Sequence, residues 1–95
     1  MQPPDITRVF KGPQNEFEVE IVFANEGNQS PEEGHTYDEI IVVADGVIEL
    51  ERSDRAEIGT HSKCDTIFLP KETVHQITVK NAPVKLVIIH PERPQ

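Results

Sequence analysis

Cysteine is nearly missing from this chain: Cys64 stands alone, so no disulfide can form within its 95 residues. Tryptophan is absent, and aromatic residues make up only 5% of the sequence, which leaves little bulk for a core. Basic residues are scarce as well, 9 against 17 acidic ones, for a net charge of −8. A surface of that sign repels phosphate backbones, and no Lys/Arg cluster with interleaved aromatics offsets it, which argues against a nucleic-acid partner. The same charge argues against an anionic membrane surface. No apolar run approaches the roughly 20 residues that a membrane-spanning helix needs. The opening Met1-Gln2-Pro3-Pro4-Asp5 lacks the charged-then-apolar order of a signal peptide, and a cytoplasmic protein is expected.

These absences leave one small domain over residues 1–95, with 1–4 and 91–95 as loose arms. A chain of this length buries only roughly 60–65% of the surface that its unfolded form exposes. With 36% hydrophobic residues, the core is thin. Small domains in this position gain support from disulfides, a metal or a partner chain. The first is excluded, so a bound metal and a homodimer are expected.

What is present is a period of two. In Glu16–Ala24, Phe17, Val19, Ile21 and Phe23 alternate with Glu16, Glu18, Glu20 and Val22, as in a strand with one buried face and one solvated acidic face. A Gly/Asn/Ser/Pro-rich loop (residues 25–34) precedes a strand over His35–Ala44. Asp45-Gly46 suits a type I′ turn, so a hairpin is expected there, returning through Val47–Arg52 with Glu49 and Glu51 outward. Short strands follow at Ala56–Thr60 and Thr66–Leu69, the latter stopped by Pro70. Thr73–Lys80 and Val84–His90 alternate again around Asn81-Ala82-Pro83. No segment carries a helical stripe. About seven or eight strands, punctuated by turns, predict an all-β barrel or sandwich.

Four potential metal ligands lie in or beside these strands. Glu33, His35 and Glu39 share parity and point to one face if no bulge intervenes, and His75 lies on a later strand. Two neutral imidazoles and one carboxylate on one side of an ion leave positions open for water, substrate or dioxygen. That donor set suits Fe(II) best, and also Mn(II), Ni(II) or Zn(II). Tyr37 shares the parity and is either a proton donor lining the pocket or a core aromatic. His61 and His90 read as surface residues.

These residues resemble the two motifs of the cupins. The first motif has Gly, five residues, His-x-His, three or four residues, Glu, six residues and Gly. Here Glu33-Gly34-His35-Thr36-Tyr37-Asp38-Glu39, then six residues and Gly46, place the second His, the Glu and the closing Gly in register. Glu33 replaces the first His, and the opening Gly falls near Asn28. The second motif has Gly, five residues, Pro-x-Gly, two residues, His, three residues and Asn. Pro70 and His75 match it, while Cys64 and Glu72 stand in for its glycines and Val79 for its Asn. The resemblance spans Gly34–Val79 and implies a jelly-roll barrel with a metal inside its mouth, held by His35, Glu39 and His75. Glu33 is a fourth ligand, a general base or a surface charge.

The function that follows is metal-dependent chemistry on a small organic molecule: dioxygenation, or isomerisation or elimination with Glu33 or Tyr37 moving a proton. The alternative is a cupin that captures a small ligand or metal without turning it over, since the fold hosts both.

Overall fold

The computed structural model describes residues 4–11, the last four by backbone alone, and 17–92. The arms at 1–3 and 93–95, and Glu16, lie outside the described residues. Among the described residues the fold is all-β, in six strands: β1 (Asp5–Lys11), β2 (Glu18–Ala24), β3 (Glu39–Arg52), β4 (Gly59–Ser62), β5 (Thr66–Leu69) and β6 (His75–His90). They pair antiparallel in the order β1-β2-β6-β3-β4, with β5 on β3.

The count is lower than expected because neither expected turn interrupts its strand. β3 runs through Asp45-Gly46 and β6 runs through Asn81-Ala82-Pro83. Sixteen residues of straight strand would span about 50 Å at roughly 3.3 Å per residue. The longest dimension of the molecule is 36 Å, so β6 must fold over. It does so beside β3: the register slips around Val43, Asp45 and Val47, where β3 faces Lys85 and Asn81. Gly46 has φ +82, and a Cβ there would run into the carbonyl oxygens of Pro83 and Asn81. Both the positive φ and the close approach therefore select glycine, and Asp45-Gly46 marks a bulged bend instead of a hairpin.

The bends divide the sheet. The first part of β3 pairs with β5 and with the second part of β6, which carries β2 and β1 beyond it. The second part of β3 pairs with β4 and with the first part of β6. Ile41, Val43, Ile48, Leu50, Ile67, Leu69 and Leu86 fill the core between these parts.

One orientation is the reverse of the expected one. On β2 it is Glu18, Val22 and Ala24 that are buried, while Phe23 is 45% exposed. The register explains it. Glu18 faces His90 and Val22 faces Leu86, so the acidic row of β2 shares the interior with the inward row of β6. A polar neighbour waiting inside, not the alternation itself, selects the face.

Candidate metal centre

A cavity of about 410 Å³ opens on this interior. Its walls are apolar, from Val22, Ala24, Ile77, Val79, Leu86 and Ile88, and its polar end collects Glu18, Glu33, His35, Tyr37, Glu39, His75 and His90. The parity expected for Glu33, His35, Tyr37 and Glu39 is met: all four line the cavity, although only Glu39 lies within a strand.

Backbone bonds fix the loop that carries three of them. The Glu33 N–H donates to the His75 carbonyl (3.0 Å), and the His75 N–H donates back to that of Glu33 (2.9 Å). The Glu72 N–H donates to the His35 carbonyl (2.7 Å), and the Lys71 N–H donates to Asp38 Oδ1 (2.8 Å). The turn after Pro70 thus pins the loop from which His35 projects.

Glu39 stands at the centre. His90 Nε2 donates to its Oε1 across 2.7 Å, and His75 Nε2 lies 3.1 Å from its Oε2. His35 Nε2 is 3.8 Å from Oε1 and 3.5 Å from Glu33 Oε1. The outer ring nitrogens are held as well: His75 Nδ1 lies 3.3 Å from the Thr73 carbonyl, and His90 Nδ1 lies 3.0 Å from Glu18 Oε1. Tyr37 stacks on His35 at 4.7 Å and meets His90 edge-on at 4.8 Å.

Charge follows this geometry. Burial pushes the Glu39 carboxyl up, but the close approach and positive charge of the His75 and His90 imidazoles outweigh it and hold the group down at about 2. Burial pushes both imidazoles down, and the Glu39 carboxylate outweighs it at each, helped by the Thr73 carbonyl at His75 and by Glu18 at His90, so both are raised.

His90 corrects the expectation of a surface residue: it is 5% exposed and inside the site, because it closes a strand whose inward members are Val84, Leu86 and Ile88. The parity of that strand was a usable signal for it. Glu18 was hidden behind the apparent acidic face of β2. His61 stays apart, half-buried beside Asp65.

The residues fit a divalent ion. Glu33, His35 and His75 each bring one donor atom within 4.8 Å of the others, and so do His35, Glu39 and His90. Glu39 Oε2 is buried, and no donor among the described residues meets it in hydrogen-bond geometry, which leaves a lone pair facing the imidazoles. Nitrogen and carboxylate oxygen donors together suit Fe(II), Mn(II), Ni(II) or Zn(II).

The sequence matches no protein-family model and no curated protein. Solved structures do match. An RmlC-like cupin with a double-stranded β-helix fold from Methanocaldococcus jannaschii has a TM-score of 0.84 at 10% identity, over 99% of this chain and 84% of that one. The Schizosaccharomyces pombe Cnp3 cupin domain has 0.85 at 18% identity, over 97% and 66%. KdgF from Halomonas sp. has 0.79 at 20% identity, over 98% and 84%. At these identities the likeness establishes the fold: the chain is built as a small cupin barrel. Among the described residues no helix is long and apolar enough to cross a membrane.

Proposed function

We propose that this cupin binds one divalent metal through His35, Glu39 and His75 and acts on a small organic molecule in the cavity. The convergence of imidazole nitrogens on the buried Glu39 carboxylate carries this reading. The ion, Fe(II) by preference, would supply Lewis acidity, and dioxygen chemistry if it is iron. The chain supplies the rest. The apolar walls exclude water and receive the carbon skeleton of the substrate. Glu33, at the mouth, and Tyr37, against His35, are the groups placed to move a proton in an isomerisation or elimination.

One observation favours a second reading, a small-ligand binding module without metal: His90 already donates to Glu39, so the site holds together on its own hydrogen bonds. Elemental analysis of protein purified without chelator or added metal separates the two. About one metal per chain is expected, lost in His75→Ala, and a metal-free cavity in fully folded protein would favour the binder.

The same reading includes a homodimer. Val19, Ile21, Val87, Ile89, Ile40 and Val42 share the outer face of β2, β6 and β3 and are only half-buried. Exposed Phe23 and Phe68 border them. A second copy would cover this apolar area.

A further inference from the structure

The two imidazoles on β6 are mounted alike. His75 turns Nδ1 to an oxygen that can only accept, the Thr73 carbonyl at 3.3 Å, and turns Nε2 to Glu39. His90 turns Nδ1 to Glu18 Oε1 at 3.0 Å and Nε2 to the same Glu39. An ion between these rings and Glu39 would take the place of the Nε2 proton, while the carboxylate or carbonyl at Nδ1 keeps the other proton fixed there, so that Nε2 serves as the lone-pair donor. Metal-ligating histidines are mounted in this way, because the outer partner sets both tautomer and ring orientation. His35 completes the arrangement, its ring 5.5 Å from that of His75 and 5.9 Å from that of His90, centre to centre. Three imidazoles therefore surround one carboxylate.

We infer that His90 is the third imidazole ligand of the metal, with Glu18 as its positioning residue, an assignment that rests on the metal centre proposed for His35, Glu39 and His75. Glu33 occupies the position at which the first motif has its own third histidine, two residues before His35. Its side chain is 45% exposed, whereas those of His90 and Glu18 are 6% and 0% exposed. Burying a carboxylate completely is costly unless it holds a specific partner. Glu18 has that partner in His90, and the register that sets them opposite each other also turns the acidic row of β2 inward. One strand then supplies two ligands from its two ends, which the fold of β6 at Asn81-Ala82-Pro83 brings to the same carboxylate.

The full-length chain loaded with Co(II) tests this. Each ligating imidazole that keeps its Nδ1–H gives a hyperfine-shifted, exchangeable proton signal in the NMR spectrum. Three such signals are expected in the wild type and two in His90→Gln. The affinity of His90→Gln for Co(II) is expected to drop by more than the roughly 10–100-fold typical of losing an outer partner. Glu18→Gln keeps an acceptor oxygen for Nδ1–H, so three signals are expected to remain, with one displaced. If His90→Gln fails to fold, the wild-type count and Glu18→Gln still decide. Two signals in the wild type, or a spectrum and affinity unchanged in folded His90→Gln, would overturn the assignment and leave a centre of His35, Glu39 and His75. A wild type that binds no Co(II) would overturn that centre as well.

Discussion

Two stretches of this chain look alike in sequence and sit in opposite senses. Val47–Arg52 on β3 and Glu18–Phe23 on β2 both alternate aliphatic residues with glutamates. On β3, Ile48 and Leu50 are fully buried and Glu51 is exposed. On β2, Glu18 is fully buried, while Val19 and Ile21 are half-buried on the outside. A strand's period follows from its residue types, but its sign does not, because shifting by one residue exchanges the two faces. The deciding information lies on the neighbouring strand. Leu50 faces Ile77 across the ladder, and Glu18 faces His90. An apolar partner draws in the aliphatic row, and an imidazole that needs an acceptor draws in the acidic one.

Substitutions that treat the two rows alike expose the difference. Leu50→Ala opens a cavity in the core and is expected to cost about 2–5 kcal/mol, read from urea denaturation. Glu51→Ala, on the exposed row, is expected to stay within about 0.5 kcal/mol. Glu18→Leu would give β2 the inward aliphatic residue that its partner strand already has. Its expected effect is a loss of about 1–3 kcal/mol, because it strands the buried His90 Nδ1–H. A gain in stability on Glu18→Leu would mean that the pair is not what turns β2.

The outward row of β2 offers the next contrast. If a second copy covers Val19, Ile21, Phe23 and their neighbours on β6, Ile21→Glu should dissociate the dimer by burying an unpaired charge in its interface. Sedimentation at micromolar concentration is expected to give twice the 10.7 kDa chain mass for the wild type and the single mass for the variant. A wild-type monomer would show that this face is simply tolerated in water.

Protons sharpen the comparison from the inward side. In chelator-treated protein, Glu39 is held down from an ordinary 4.5 to about 2, so its contribution to stability is present above 4.5 and is lost as pH falls towards 2. His75 and His90 are raised above 6.5, so theirs is complete below 6.5 and is lost as pH rises through their folded values. Metal-free protein is therefore expected to be most stable between about 4.5 and 6.5, measured as the urea midpoint against pH. Glu18→Gln removes one of the carboxylates that raise His90 and should flatten the alkaline side. A flat profile from pH 4 to 8 in the wild type would break the link between these groups and the fold.

Much of the candidate site was legible because its geometry depends on short spacings. Glu33, His35, Tyr37 and Glu39 keep one parity over seven residues, and they do line one cavity. His75 was legible through its distance from Pro70, which terminates β5 and begins the turn that pins His35. The strands were legible as segments but not as whole elements. Asp-Gly and Asn-Ala-Pro signal a chain that changes direction, and both do so, by bending continuous strands against each other instead of ending them. His90 and Glu18 depend on a pairing between residues 72 positions apart. The parity of β6 turns His90 inward but does not reveal its partner, and Glu18 alone resembles an ordinary surface group.

The backbone gives the smallest instance of the same lesson. Cys64 and Glu72 occupy the two places where the second motif has glycine, and both have positive φ, 77° and 70°. The turns have kept the left-handed conformation although the residue that adopts it most easily is gone. Each turn is held by what it joins: the Cys64 N–H donates to the Val43 carbonyl (2.8 Å), and the Glu72 N–H donates to that of His35 (2.7 Å). A left-handed non-glycine residue costs roughly 1–2 kcal/mol, and glycine removes that cost. Against this, glycine gives the unfolded chain more freedom, worth about 0.5–1 kcal/mol. The Cys64 side chain is exposed, so its loss removes no packing. Cys64→Gly and Glu72→Gly are therefore each expected to stabilise the protein slightly, by about 0.5–1 kcal/mol, and to add when combined because they lie in separate turns. Ala at either position keeps the Cβ and should give no such gain. If Gly and Ala proved equal in urea denaturation, the left-handed turns would not be under strain, and the motif's glycines would have to be explained by space alone.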